Sequence, residues 1–66
     1  MLKEKELKLA KFYFEEGKVQ TKARKLEEAV KLYEQAIALY EKWEVWEDWV
    51  KANNEIVHIF YYSKKK

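Results

Sequence analysis

His58 is the only histidine in the 66-residue chain, and the one side chain whose ordinary pKa lies near neutrality. Catalytic use would require an oriented partner and a pocket. Its neighbours on a helix are Asn54, Glu55, Tyr61 and Tyr62, and a Glu–His pair three residues apart arises readily on any polar helix face. His58 therefore reads as a surface or half-buried structural residue. Glu15-Glu16 and Glu27-Glu28 are the candidate carboxylate pairs. Adjacent helical residues point about 100° apart, so neither pair converges on one substrate atom. A metal would need histidine or cysteine support, or an oxygen-rich loop. The chain has no cysteine, and its single glycine, Gly17, cannot build a glycine-rich phosphate cradle. No catalytic, cofactor or metal residue is expected, and the chain reads as a non-enzyme.

Chemistry of recognition is better represented. Aromatics make up 17% of the residues, more than so short a chain easily hides, and Trp43, Trp46 and Trp49 recur at a spacing of three. A base-stacking ladder comes with a basic groove, whereas these indoles alternate with Glu44, Glu47 and Asp48, which repel phosphate. They are expected to pack a helix–helix corner, with a subunit or partner contact as the functional alternative. Lys18, Lys22, Arg24 and Lys25 form the basic counterpart. They read as a solvated face that can dock on the acidic middle of a neighbouring chain. An anionic peptide, phosphate or membrane is the alternative target. Tyr61-Tyr62 beside Lys64–Lys66 makes a weak interfacial anchor, because no long amphipathic helix accompanies it.

The formal net charge of +2 divides unevenly: residues 1–25 carry +4, residues 26–50 carry −5 and residues 51–66 carry +3. A nucleic-acid binder concentrates base on one face and spares it acid. The segmentation here suits attraction between helices or subunits. No apolar run approaches the ~20 residues of a membrane span. Met1 to Ala10 alternates lysine and glutamate with leucine rather than presenting the apolar core of a signal peptide, so the default compartment is the cytoplasm.

The elements that position these residues are helical. Proline is absent and Lys, Glu, Leu and Ala dominate. Leu2, Leu7, Leu9, Ala10, Tyr13 and Phe14 mark one side of a first helix over about 2–16. Gly17 is placed as its left-handed C-terminal residue, Lys18 to Thr21 as a turn and Thr21 as a candidate N-cap. A continuous helix through this stretch is the alternative. A second helix spans about 22–43. On it Leu26, Val30, Tyr33, Ile37 and Tyr40 form one stripe, and Ala29, Leu32, Ala36, Leu39 and Trp43 a second. So wide an arc touches neighbours on two sides, and Ala29 and Ala36 allow close approach. A third helix over about 46–62 is expected to bury Trp46, Trp49, Val50, Asn53, Ile56, Val57 and Phe60. A solvated tail follows over 63–66. The fold class is all-α: an antiparallel hairpin or three-helix unit.

Ala29, Tyr33 and Ala36, in LEEAVKLYEQAIALYEK (Leu26 to Lys42), have the small–aromatic–small spacing of the second helix of a tetratricopeptide repeat, and the stretch resembles that helix. WEDWVKANNEIVHIFYYSK resembles the first helix of a following repeat, with Ala52, Asn54, Ile56 and Phe60 at packing positions and Val57 where glycine is usual. LAKFYFEEG, Leu9 to Gly17, is similar to the end of a first helix. Gly17 to Ala29 is longer than the family's turn by about two helical turns, and the repeat exceeds 34 residues, so the match is to a longer-repeat variant. The resemblance implies an adaptor-like, protein-binding scaffold without catalysis.

One helical pair and half of another cannot cap their own stack. The expected partners are helical segments of other proteins, further repeats, or another copy of the chain in a homo-oligomer. The residues expected to carry association are Tyr33, Tyr40, Trp43, Trp46, Trp49, Ile56 and Phe60, with Ala29, Val30, Ala36 and Ile37 as the helix-packing set. A self-assembling bundle or filament is the second reading.

Overall fold

A computed structural model describes residues 1–64. They form three helices, α1 (Leu2–Lys22), α2 (Leu26–Lys42) and α3 (Trp46–Lys64), with no strand among them. The fold is all-α. Ser63 and Lys64, expected in the tail, continue α3, and the remainder of that tail lies outside the described residues.

Each connection is three residues long, and both have the same backbone design. In the first, the Arg24 N–H donates to the Thr21 carbonyl (3.0 Å) and the Lys25 N–H to that of Gln20 (2.9 Å). In the second, Glu44 donates to Glu41 (3.1 Å) and Val45 to Tyr40 (2.9 Å). This is the Schellman pattern, which satisfies the last carbonyls of a helix when one residue turns left-handed. That residue is Arg24 (φ 66°) or Glu44 (φ 57°), neither of them glycine. The next residue accepts the first bond of the following helix, Ala29 N–H to Lys25 and Trp49 N–H to Val45, both at 3.0 Å. Each reversal is therefore complete within three residues. Glu27, Glu28, Glu47 and Asp48 in the first turns, and Lys22 and Lys42 in the last, complement the helix dipoles.

The first helix is longer than expected. Residues 18–22 continue it, and Gly17 is not left-handed but lies within it, fully packed. Thr21 caps nothing: its Oγ1 donates back along α1 to the Gly17 carbonyl at 2.8 Å. The second helix accordingly begins at Leu26, not near residue 22. Residues 18–22 are thus absorbed by α1 rather than by a long loop.

Helices α1 and α3 each pack antiparallel on α2 and scarcely meet each other, giving a slab of 44 × 19 × 13 Å. Ala10, Ala29, Ala36 and Ala52 have no exposed surface, and among the described residues Tyr33 is the one large side chain buried completely. Ala10, Ala36 and Tyr40 centre one cluster, joined by Leu7, Phe14, Val45 and Trp49. Ala29, Tyr33 and Ile59 centre the other, joined by Leu26, Val30 and Ile56. Burying a side chain of this size contributes about 1.5–3 kcal/mol, which the small residues make possible by letting the helices approach. Of the expected packing set, Ala29 and Ala36 are buried, whereas Val30 and Ile37 are half-buried.

Helix α3 is rotated from the expected setting. Ala52 and Ile59 face α2 and are buried, while Trp46, Val50, Val57 and Phe60 are exposed. The reason is steric. Ala52 permits closer approach than any large residue on the opposite side, and α2 is a single rod that covers only part of so wide an apolar arc.

Candidate functional site

The seven residues expected to carry association divide into three groups. Tyr33 and Tyr40 are interior, at 0% and 5% exposure, and hold α1 and α3 to α2 rather than reaching a partner. The Tyr33 ring stacks at a tilt on Phe14, with centroids 5.6 Å apart. Burial pushes both phenols above the ordinary tyrosine range, opposed at Tyr33 by the Thr21 hydroxyl.

Trp43, Trp49 and Ile56 form the second group, half-buried. The Trp43 indole donates to Glu6 Oε1 at 2.8 Å, and the same oxygen accepts from Lys42 Nζ at 2.8 Å. The hydrogen bonds from Lys42 and then Trp43 hold the Glu6 carboxyl below its usual range. Lys42 also lies 5.2 Å from the Trp43 ring centre. The Trp49 indole donates to Glu41 at 3.3 Å, tying α3 to α2. Two acids from outside the tryptophan segment, Glu6 on α1 and Glu41 on α2, thus supply the acceptors for a corner of indoles.

Trp46 and Phe60, the third group, are exposed. Trp46 rests edge-on against Trp49 at 5.6 Å and 83°. With Val50 and Val57 they make a stripe at intervals of four, seven and three along α3, with the half-buried Asn53 between the two valines, and Val57 is 62% exposed. Val50 and Val57 were expected inside with Trp46 and Phe60, but only the two aromatics stood among the partner residues. The signal that could have singled them out is the width of the α3 arc, which runs from Ile59 round to Val50.

The opposite edge of the slab repeats the situation. Leu2 and Leu9, expected on the packed side of α1, are exposed together with Phe12 and Val19. Lys5 and Glu16 lie between them on the same helix face.

Between α1 and α3, above Tyr40, runs an open groove of about 760 Å³. Phe14, Leu7 and Val45 line its apolar part, and Lys11, Lys18 and Lys51 alternate with Glu15, Asp48 and Glu55 on its walls. Lys18 leans over the Phe14 ring at 4.8 Å. His58 and Asn54 stand on its rim, both exposed. Such alternation neutralises itself and gives no site of a single sign for an anion or a cation. Among the described residues no cluster of His, Asp or Glu is disposed to hold a metal, and no helix is long and apolar enough to cross a membrane.

Comparison with family models, with curated proteins and with solved structures finds no match. The functional reading rests on the chain's own surfaces.

Proposed function

We propose that the chain is a protein–protein interaction scaffold, binding through helix faces and above all through the outward face of α3. One observation carries this reading: α2 covers only one side of the α3 apolar arc, at Ala52 and Ile59, and leaves Trp46, Val50, Val57 and Phe60 to solvent. Exposed large apolar residues gathered on one helix face mark an association surface. Nothing in the groove argues for catalysis, since its acids and bases alternate and its histidine sits on the rim.

The reading extends to a scaffold of tetratricopeptide type. It is supported by the complete burial of Ala29, Tyr33 and Ala36 on α2, and by the helix–turn–helix alternation with a neighbour on each side of that helix. Asn54 and Phe60 argue less for it, because both are exposed instead of packing on α2. A cytoplasmic setting is proposed on the alternation of charge and leucine in residues 1–10.

The test is site-specific photocrosslinking in cells expressing the chain. A benzophenone side chain at Val57 should give a discrete adduct, identifiable by mass spectrometry. The same group at Gln35, exposed on α2, should give none. Absence of a discrete adduct from Val57 and from Val50 alike overturns the reading.

A further inference from the structure

We infer that the outward face of α3 receives the outward face of α1 from a second copy of the chain, the two helices antiparallel, so that copies join edge to edge in an open row. This inference rests on the interaction reading above and names its partner. It begins from the slab: α1 and α3 are its two edges, each covered by α2 on one side only. Phe12 and Val19 on one edge, and Val50 and Val57 on the other, are uncovered. A contact between unlike edges covers both stripes with every copy added. A contact between two α3 helices would leave the α1 stripe bare.

The polarity of the contact follows from the charges at the helix ends. Residues 17–25 carry Lys18, Lys22, Arg24 and Lys25 with no acid, and residues 43–50 carry Glu44, Glu47 and Asp48 with no base. Antiparallel docking sets the acidic turn before α3 beside the basic turn after α1 of the next copy. Parallel docking would instead set it beside Lys3, Glu4, Lys5 and Glu6, which have no net charge. Antiparallel docking also continues the alternation that already joins α1 to α2 and α2 to α3. The contact is heterologous, so it propagates rather than closing as a two-fold dimer. One helix on another is at the small end of specific interfaces, which bury ~1,200–2,000 Å² in total. The row therefore forms reversibly with concentration, and salt weakens it by screening the paired ends.

Analytical ultracentrifugation of the purified chain tests this. The weight-average mass should climb past the dimer as concentration rises, and fall when salt is added. Phe12→Glu and Val57→Glu change exposed side chains, so each variant should keep its helical circular dichroism. Each loses one of the two unlike faces and should sediment as a monomer alone. Mixed, they should form one-to-one dimers and nothing larger, because a single intact pair of faces remains. Charge reversal offers a second route: Glu47→Lys should weaken assembly, and mixing it with Lys22→Glu should restore part of it. A dimer that survives Phe12→Glu but not Val57→Glu, or a wild-type mass that stops at the dimer, overturns the inference in favour of like-face pairing. A wild-type monomer at every concentration also overturns it. That result leaves the interaction reading standing if Val57 still crosslinks to a different protein in cells.

Discussion

The ring of Tyr33 occupies the space that a side chain at Gly17 would need. A Cβ built on Gly17 would meet Tyr33 Cε1 at 2.6 Å, Cδ1 at 2.8 Å and Cζ at 2.9 Å. The glycine is therefore not a helix stop. It is a flat seat on α1 for the fully buried Tyr33 ring, and it lets α1 and α2 close on that ring. The Tyr33 hydroxyl then reaches Thr21 at 3.5 Å, one helical turn beyond the seat.

Gly17→Ala should destabilise the chain although alanine is the better helix former by about 1 kcal/mol. The methyl group meets a ring that also packs against Phe14, and overpacking of this kind costs about 1–3 kcal/mol. Urea denaturation followed by circular dichroism should show a lower midpoint. A midpoint equal to or above wild type would mean that the ring moves aside freely.

Alkali should find the same residue. Burial raises the Tyr33 pKa above its ordinary 10.0, so the neutral phenol is the form the folded chain favours. Its contribution to stability is complete below pH 10 and is lost as pH rises through the higher folded value. Tyr33→Phe removes only a long hydrogen bond and should cost about 0.5–1 kcal/mol near neutrality. As pH climbs beyond 10 that deficit should shrink and then reverse. Melting curves of both chains across that range check it, and a deficit that stays constant sinks the idea.

At the other end of the scale, Glu6 is held ionised by Lys42 and Trp43, and its pKa lies below the ordinary 4.5. The stability it adds is fully present above pH 4.5 and disappears as pH falls through the lower folded value. Glu6→Gln keeps an acceptor for the indole but loses the charge. Wild type should be the more stable chain at neutral pH, and the two thermal midpoints should converge in acid. Added salt should narrow the neutral-pH gap, because the Glu6–Lys42 pair is partly exposed.

Arg24 and Glu44 hold left-handed backbone without being glycine. That conformation costs an L-residue about 1–2 kcal/mol, and the entropy of glycine takes back roughly half of any gain. Arg24→Gly and Glu44→Gly should each raise stability by about 0.5–1 kcal/mol, additively, since the turns lie at opposite ends of α2. Thermal melts of the two single variants and the double variant decide it.

Much of the fold was legible in the residue pattern. The absence of proline, the helix-forming composition and the double stripe of α2 predict three helices, with Ala29 and Ala36 at the closest contacts. The second turn, over residues 43–45, falls where the periodicity of α2 runs out. The interaction residues were less legible. Tyr33 and Tyr40 stand on an apolar stripe that could serve core or partner alike, and only their neighbours show that they are the core.

From the sequence alone follow the helical class, the wide apolar arc of α2 and the surplus of aromatic surface over what three helices can cover. Those depend on composition and on the helical period, which each residue carries with it. Tertiary structure alone decided where α1 ends, which side of α3 faces inward and what Gly17 is for. A glycine after two glutamates carries the same local signal whether it ends a helix or seats a ring, and Tyr33 settles the matter from a different helix. An arc as broad as that of α3 has no marked centre in one dimension. Its inward side is set by where a small residue, Ala52, lets the backbones come closest.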